Sequence, residues 1–381
     1  MSSARAILIR SLAAVERACA WGPEDVRSTR RFLVMQHATA LGTALHNMPL
    51  LSALKAAVPG AQIAVAASGF SASVLARNPF VDSFLKTPSP LVDLSASQES
   101  LKQQLPFEPG EYVTIFPTGN ERWQMLAVAM LTGGSMRAGF ATLPEMLALP
   151  LDFDPSMSQI DNNLRLIFEL GHGGEWQRAV AANPAVTEPH LYPTEDDFKS
   201  VRQLLERNGV SLARPIALFV TQTSPTQRKS WRPERFRAVA EALHREQGMQ
   251  AVFLGTGSEA IAVDALRKGL SFASASLAGC TTLSELASLC ALADLAVTLD
   301  TGPMHVARAM NLPQVIIAPA WSPAVEWLPL NKPTARCLKN ADMTSQTPEY
   351  VIDEVSVDEV IASAQELLAI YPPRQFTWRS A

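Results

Sequence analysis

The stretch LAVTLDTGPMHVARAMNLPQVIIAP (295–319) decides the fold of the second half of the chain. Its apolar run up to Leu299 reads as a buried strand, and Asp300-Thr301-Gly302 as a tight turn. Residues 303–310 read as a helix opened by Pro303, whose missing N–H would have no partner at a first helical position. QVIIA (314–318) is the next strand. Strand, helix and strand at this spacing make a βαβ unit and hence a parallel sheet. Such sheets bind ligands at the carboxyl ends of their strands, where a helix N-terminus presents N–H groups and a partial positive charge suited to phosphate. Gly302 lets the backbone approach a phosphate closely, and His305 lies on the first turn, within reach of the same ligand. A plain strand–loop–helix corner capped by Thr301 fits the same local pattern.

The alternation extends outward in both directions. Upstream lie a helix over 195–208, strand IALFV (216–220), a helix over 233–247, strand QAVFL (250–254) and helices over 258–268 and 282–291; downstream, a helix spans 356–370 before a polar tail. Residues 174–195 carry Pro184, Pro189 and Pro193 with little periodicity and read as a linker. Before it the same rhythm appears: FLVMQ (32–36), a helix over 43–57, QIAVA (62–66), a helix over 70–77, YVTIF (112–116) and a helix through 121–132. Two successive α/β halves predict two Rossmann-like domains facing a central cleft. The expected division is a helical extension over 1–30, an N-terminal domain over 31–190, a C-terminal domain over 191–370 and a tail over 371–381.

Length and composition agree with this plan. At roughly 150 residues per domain, 381 residues suffice for two. With 48% hydrophobic and 18% charged residues the chain has ample apolar surface to fold, which excludes disorder. A net charge of −4 argues against a broad nucleic-acid-binding face. No apolar run approaches the roughly 18–20 residues of a membrane span, and Arg10, Glu16 and Arg17 interrupt any signal-peptide pattern. Cys19, Cys280, Cys290 and Cys337 are scattered, neither a zinc set nor a disulfide framework, which suits reduced thiols in the cytoplasm. Residues 4–20 can place Ala4, Ile7, Leu8, Leu12, Val15 and Ala18 on one helical face, away from Arg5, Arg10 and Arg17. That face would either pack on the protein's own surface or lie peripherally on the inner face of the cytoplasmic membrane.

Two further segments carry chemistry. In FVTQTSPTQRKSWRPERFRAVAEAL (219–243), a strand end and a hydroxyl-rich loop lead through Lys229 into a helix opened by Pro233. Lys229 is a cation suited to a diphosphate, while Trp231 and Phe236 read as a hydrophobic clasp at the helix entry. FLGTGSE (253–259) makes a tight strand-to-helix turn whose Glu259 could accept hydrogen bonds from ribose hydroxyls, a weak signal taken alone.

In combination, Lys229-Ser230-Trp231 with Pro233 and Phe236, then GTGSE, then LAGCTTLSELASLCALADLAVTLDTGPMHVARAMNLP, then PAWSP (319–323) resemble glycosyltransferase family 9, the ADP-heptose:lipopolysaccharide heptosyltransferases and their relatives. The likeness extends more weakly through 54–82 and through TGN (118–120) to RAGF (137–140). It implies a GT-B fold and an inverting transfer, without metal or cofactor, from a nucleotide-diphosphate sugar (an ADP-linked heptose) to a glycan or lipopolysaccharide-type acceptor. By position, Lys229, Thr301 and Gly302 would bind the diphosphate, Glu259 the ribose, and Asp300 and His305 the sugar or its phosphate; Thr221 and Thr223 are looser matches to phosphate-contacting hydroxyls. Negative charge grows on the departing diphosphate, and fixed donors such as Lys229 aimed there stabilise the transition state.

The first half departs from the pattern. Where the family carries a loop of the type R-L-S-S-L-G-D with an aspartate base, this chain reads His37-Ala38-Thr39-Ala40-Leu41-Gly42-Thr43, with Pro49 keeping the register. A threonine hydroxyl is no base near pH 7, and loss of general-base catalysis typically costs about 10²–10⁴ in rate. His37 and His46 are the candidate replacements. The alternative is a nucleotide-sugar-binding relative without turnover, acting as partner or regulator. Nor is the N-terminal domain cationic: residues 32–150 hold six Lys/Arg (Lys55, Arg77, Lys86, Lys102, Arg122, Arg137) against seven Asp/Glu. Arg122 and Arg137 are the candidates for contact with an anionic acceptor.

Overall fold

Apolar runs such as FLVM (32–35) and VTIF (113–116) carry no polar alternation, as expected of strands covered on both faces. The computed structural model, which describes residues 3–19, 22–172, 174–223, 229–340 and 350–374, places them at the centre of a parallel sheet. The chain forms two compact units, the first ending at His190 and the second beginning at Leu191.

The first unit opens with α1 (Ser3–Cys19) and α2 (Pro23–Ser28). There follow β1 (Arg31–Gln36), α3 (Leu41–His46), α4 (Met48–Ala57), β2 (Gln62–Ala67), α5 (Gly69–Leu75), β3 (Ser83–Lys86) and α6 (Leu94–Gln104). The unit continues with β4 (Val113–Phe116), α7 (Trp123–Thr132), β5 (Met136–Gly139), β6 (Leu149–Pro150), α8 (Gln159–Leu170) and α9 (Glu175–Ala181). Its sheet is ordered β3-β2-β1-β4-β5-β6 with every pair parallel, and Val34 stands between Val65 and Ile115.

The second unit holds α10 (Glu195–Arg207), β7 (Ile216–Val220), α11 (Pro233–Gln247), β8 (Gln250–Leu254), α12 (Ala260–Arg267), β9 (Ala275–Ser276) and α13 (Leu283–Leu292). After these come β10 (Leu295–Leu299), α14 (Gly302–Ala309), β11 (Gln314–Ile317), α15 (Ala324–Trp327), β12 (Ala335–Leu338) and α16 (Val357–Ile370). Its sheet, β9-β8-β7-β10-β11-β12, repeats the order of the first. In both, the winding reverses between the first and fourth strands, β1 and β4 or β7 and β10. This opens a crevice at their carboxyl ends, the usual ligand position of a doubly wound sheet.

Each core side chain taken fully out of water contributes about 1.5–3 kcal/mol, more than the roughly 1 kcal/mol of a helix cap. Packing such as Phe219 stacked on Phe253 at 5.0 Å therefore holds these units more than their caps do. The strands β3, β5, β6, β9 and β12 escape a periodicity reading because they are only two to four residues long. The helix expected over 43–57 is two helices broken at Asn47, with Pro49 inside the first turn of the second. The linker expected over 174–195 is in part α9, whose Trp176 is buried edge-on against Phe32 at 6.2 Å. Two buried positions in a short helix leave no visible period.

Helix α1 packs on the first unit, but not through the face expected. Ile9, Ala13 and Glu16 point inward, whereas Ile7 and Val15 are 65% and 54% exposed. The side chains of Ala4, Leu8, Leu12, Arg5 and Arg17 lie outside the described residues, as does the tail from 375 onward. Among the described residues no helix is long and apolar enough to cross a membrane.

Candidate active site

The crevice of the second unit is closed by a pair of side chains from its two central strands. Lys229, beyond β7, donates from Nζ to Asp300 Oδ2 at 2.8 Å and to Asp300 O at 3.3 Å, and Ser322 Oγ donates to the same carboxylate oxygen at 3.1 Å. The Lys229 ammonium also lies 5.4 Å from the centre of the Trp321 ring. Two residues after the lysine, Trp231 fixes the chain: its Nε1 donates to Val355 O at 3.0 Å and its ring meets Phe236 edge-on at 4.8 Å, the clasp read from the sequence. Desolvating an ion pair costs about what the pair returns, so stability alone gives little reason to bury Asp300 beside a lysine. The lysine is held short of solvent but not sealed from it, its side chain 14% exposed.

Around this pair stand the other residues expected from the sequence. Thr221 ends β7 as a buried hydroxyl accepting from Gln222 Nε2 at 3.3 Å; Thr223 is half-buried, and the loop 224–228 lies outside the described residues. Thr301 is the N-cap of α14, yet its hydroxyl turns back to donate to Leu299 O at 3.4 Å, so it does not cap the helix. Pro303 follows within the first turn, as expected. His305 is buried, edge-on to Trp327 at 6.1 Å. Burial pushes its pKa down to about 4, against the pull of the Asp300 charge and with the help of Arg308 and Lys229, so it is neutral at pH 7. Glu259 follows β8, the neighbour of β7, and one of its oxygens accepts from Thr256 N at 2.7 Å. Among the described residues no three His, Cys, Asp or Glu side chains gather as a metal would require.

The crevice of the first unit is built from amides. Asn47 Nδ2 donates to Gln36 Oε1 at 3.0 Å and to Thr118 O at 2.9 Å; Thr118 Oγ1 donates to Asn47 Oδ1 at 3.1 Å, and Asn163 Nδ2 to the same oxygen at 2.7 Å. Thr118 N donates to Asn163 Oδ1 at 3.0 Å, and His37 N to Asn120 Oδ1 at 2.7 Å. Hydrogen-bonded networks of this kind rigidify what they join, here the ends of β1 and β4 with α8, although Gln36 Nε2 is buried without a partner among the described residues. Sequence reasoning missed Gln36, Asn47 and Asn163. The one signal was consecutive asparagines, Asn162 and Asn163, within an otherwise amphipathic helix.

Thr43 lies against this lattice. The two histidines expected to replace the family's base are buried, His37 2% and His46 1% exposed. His37 Nδ1 shares a hydrogen bond with Ser68 Oγ at 2.9 Å, and burial lowers its pKa to about 4. A base must reach the hydroxyl it deprotonates, and neither ring is presented for that. Arg122 is exposed. Arg137, by contrast, is buried in an ion pair with Glu16 of α1, whose carboxylate also accepts from Arg137 N at 3.0 Å and Ala148 N at 3.1 Å. Its charge is already met inside the fold, so it does not await an acceptor anion.

A family model described as glycosyltransferase family 9 (heptosyltransferase) matches residues 150–349, more than half of the chain. The chain belongs to glycosyltransferase family 9. As a family 9 member it is a glycosyltransferase, and solved relatives share its fold across both units. The family 9 structure from Veillonella parvula is 18% identical with a TM-score of 0.76, covering 90% of this chain and 98% of that one. The E. coli ADP-heptose lipopolysaccharide heptosyltransferase II is 20% identical with a TM-score of 0.70, covering 89% and 98%. The E. coli heptosyltransferase WaaC, solved with ADP, is 15% identical with a TM-score of 0.63, covering 88% and 99%. These give the chain the GT-B fold expected from its motifs. A comparison with curated protein sequences gives no match.

Proposed function

We propose that this family 9 glycosyltransferase transfers a heptose from an ADP-linked donor to a hydroxyl of a glycan-type acceptor, with inversion and without a metal. The observation that carries this reading is the Lys229–Asp300 pair at the crevice of the second unit, next to a helix N-terminus that its N-cap residue Thr301 leaves uncapped. When ADP-heptose binds, its diphosphate takes the cap position beside Thr301 and Gly302 and draws the Lys229 ammonium, with Thr221 and Thr223 adding hydroxyls. As the bond to the sugar breaks, charge accumulates on the diphosphate, and this preorganised set meets it without reorganisation. Asp300 and the neutral His305 face the sugar, and the Glu259 oxygen that does not accept from Thr256 serves the ribose. The ADP held by E. coli WaaC supports the choice of nucleotide.

The acceptor belongs to the first unit, with exposed Arg122 meeting its anionic groups. A cytoplasmic enzyme working beside the membrane is supported by the outward Ile7 and Val15 of α1. Titration calorimetry with ADP-, UDP- and GDP-sugars tests the donor. ADP-heptose should bind, and Lys229→Ala should weaken it at least tenfold, the loss of one charge-assisted contact of about 1.5–3 kcal/mol. Binding of none of the three sugars would overturn the proposal.

A further inference from the structure

We propose that Glu121 is the base of the transfer, taking the acceptor proton that Thr43 cannot; the assignment rests on the transferase reading above. Glu121 follows the carboxyl end of β4, which lies beside β1, and the residue two before it, Gly119, lies against Ala38 and against Thr43 of α3. Gly119 connects the two. Its N–H donates to Glu121 Oε1 at 2.5 Å, and its φ of +83° is one that glycine adopts readily. A Cβ on Gly119 would stand 2.6 Å from Thr43 Cγ2 and 3.3 Å from Ala38 Cβ. Through these contacts and standard backbone lengths the Glu121 carboxylate lies within about 8 Å of the Thr43 methyl. An acid therefore lies within about 8 Å of the position where the family pattern has one, supplied from beyond the neighbouring strand β4.

The carboxylate is placed rather than loose. Thr142 holds the Glu121 carbonyl through its N–H at 2.9 Å and its hydroxyl at 3.1 Å, and Asn120 is tied to His37. Oε1 accepts from Gly119, while Oε2 has no hydrogen-bond partner among the described residues, and the side chain is half-buried. Five other acids of this unit are committed elsewhere: Glu16, Asp82 and Glu111 to ion pairs, and Asp93 and Asp161 to helix N-termini. In the transfer, Glu121 Oε2 takes the proton of the acceptor hydroxyl as its oxygen bonds to the anomeric carbon. The bond from that carbon to the phosphate oxygen breaks, and its electron pair leaves with ADP. Glutamic acid then returns the proton to water.

The test uses the full chain with ADP-heptose and deacylated lipopolysaccharide core oligosaccharide, reading ADP release, product and calorimetric donor affinity. Glu121→Gln should lower kcat about 10²–10⁴-fold, leave donor affinity within twofold, and abolish the acidic limb of the kcat/KM profile. Glu121→Asp should keep that limb and regain part of the rate. A Glu121→Gln variant within tenfold of the parent, with its acidic limb intact, overturns the assignment while leaving the transferase reading standing. A parent chain that binds ADP-heptose but forms no product with this acceptor overturns both, and the unchanged donor affinity shows which step failed.

Discussion

Acid should unfold this protein earlier than its carboxylates alone would require. His37 and His305 are both buried, one in each unit, and burial lowers each pKa from 6.5 to about 4. The unfolded chain then takes up protons that the folded chain refuses. Stability is intact above pH 6.5, falls as pH drops through 6.5 toward 4, and loses nothing further from these groups below 4. Between pH 7.5 and 4.5 the loss amounts to about 2.5 kcal/mol per histidine, a large fraction of the 5–15 kcal/mol typical of a domain. Glu285, Asp353, Glu359 and Glu366 carry lowered pKa values, and their contributions are lost only below about pH 4.5. The window from 6.5 to 4.5 therefore isolates the imidazoles. Urea melts at four pH values, followed by far-ultraviolet circular dichroism and tryptophan fluorescence, supply the measurement. His305→Gln should flatten the pH dependence of the second unit by about 2.5 kcal/mol and leave that of the first. A flat stability profile in the parent, or an unchanged slope in both His37→Gln and His305→Gln, would refute the burial argument.

Two other perturbations address the first unit. Glu16→Ala strands a buried guanidinium and should cost about 3–5 kcal/mol in the urea midpoint. Adding Arg137→Met should recover part of that, and equal losses in the single and double variants would count against the buried charge as the cause. Gly119→Ala places a methyl against Thr43 at a left-handed φ and should cost about 1–3 kcal/mol, with turnover reduced and ADP-heptose affinity retained. In a double-mutant cycle Thr43→Ala should relieve it, and strict additivity would place the strain elsewhere.

The second unit was legible because its information is local. A strand ending at Leu299, a turn through Asp300 and Gly302 and a proline at the helix start lie within five residues of one another, so turn chemistry and periodicity report them directly. The same holds for Trp231, just before the N-cap of α11, and Phe236, the fourth residue of that helix, which form the clasp read from their spacing. The face of α1 was misread for the opposite reason: the inward side is set by a buried Glu16 whose partner lies 121 residues away, and a charged residue reads as solvent-facing until that partner is known.

By itself, then, the sequence determined the parallel α/β architecture, the succession of its main strands along the chain and the residues gathered at the crevice of the second unit. Each is written in a short window of periodicity or turn residues. Tertiary structure alone decided the contents of the other crevice: the amide lattice of Gln36, Asn47, Thr118, Asn120 and Asn163, the burial of His37 and His46, and the approach of Glu121 to Thr43 through Gly119. These contacts exist because β4 lies beside β1 while β2 and β3 lie on its other side. Strand order is fixed by how whole layers pack, and no local pattern of side chains carries it.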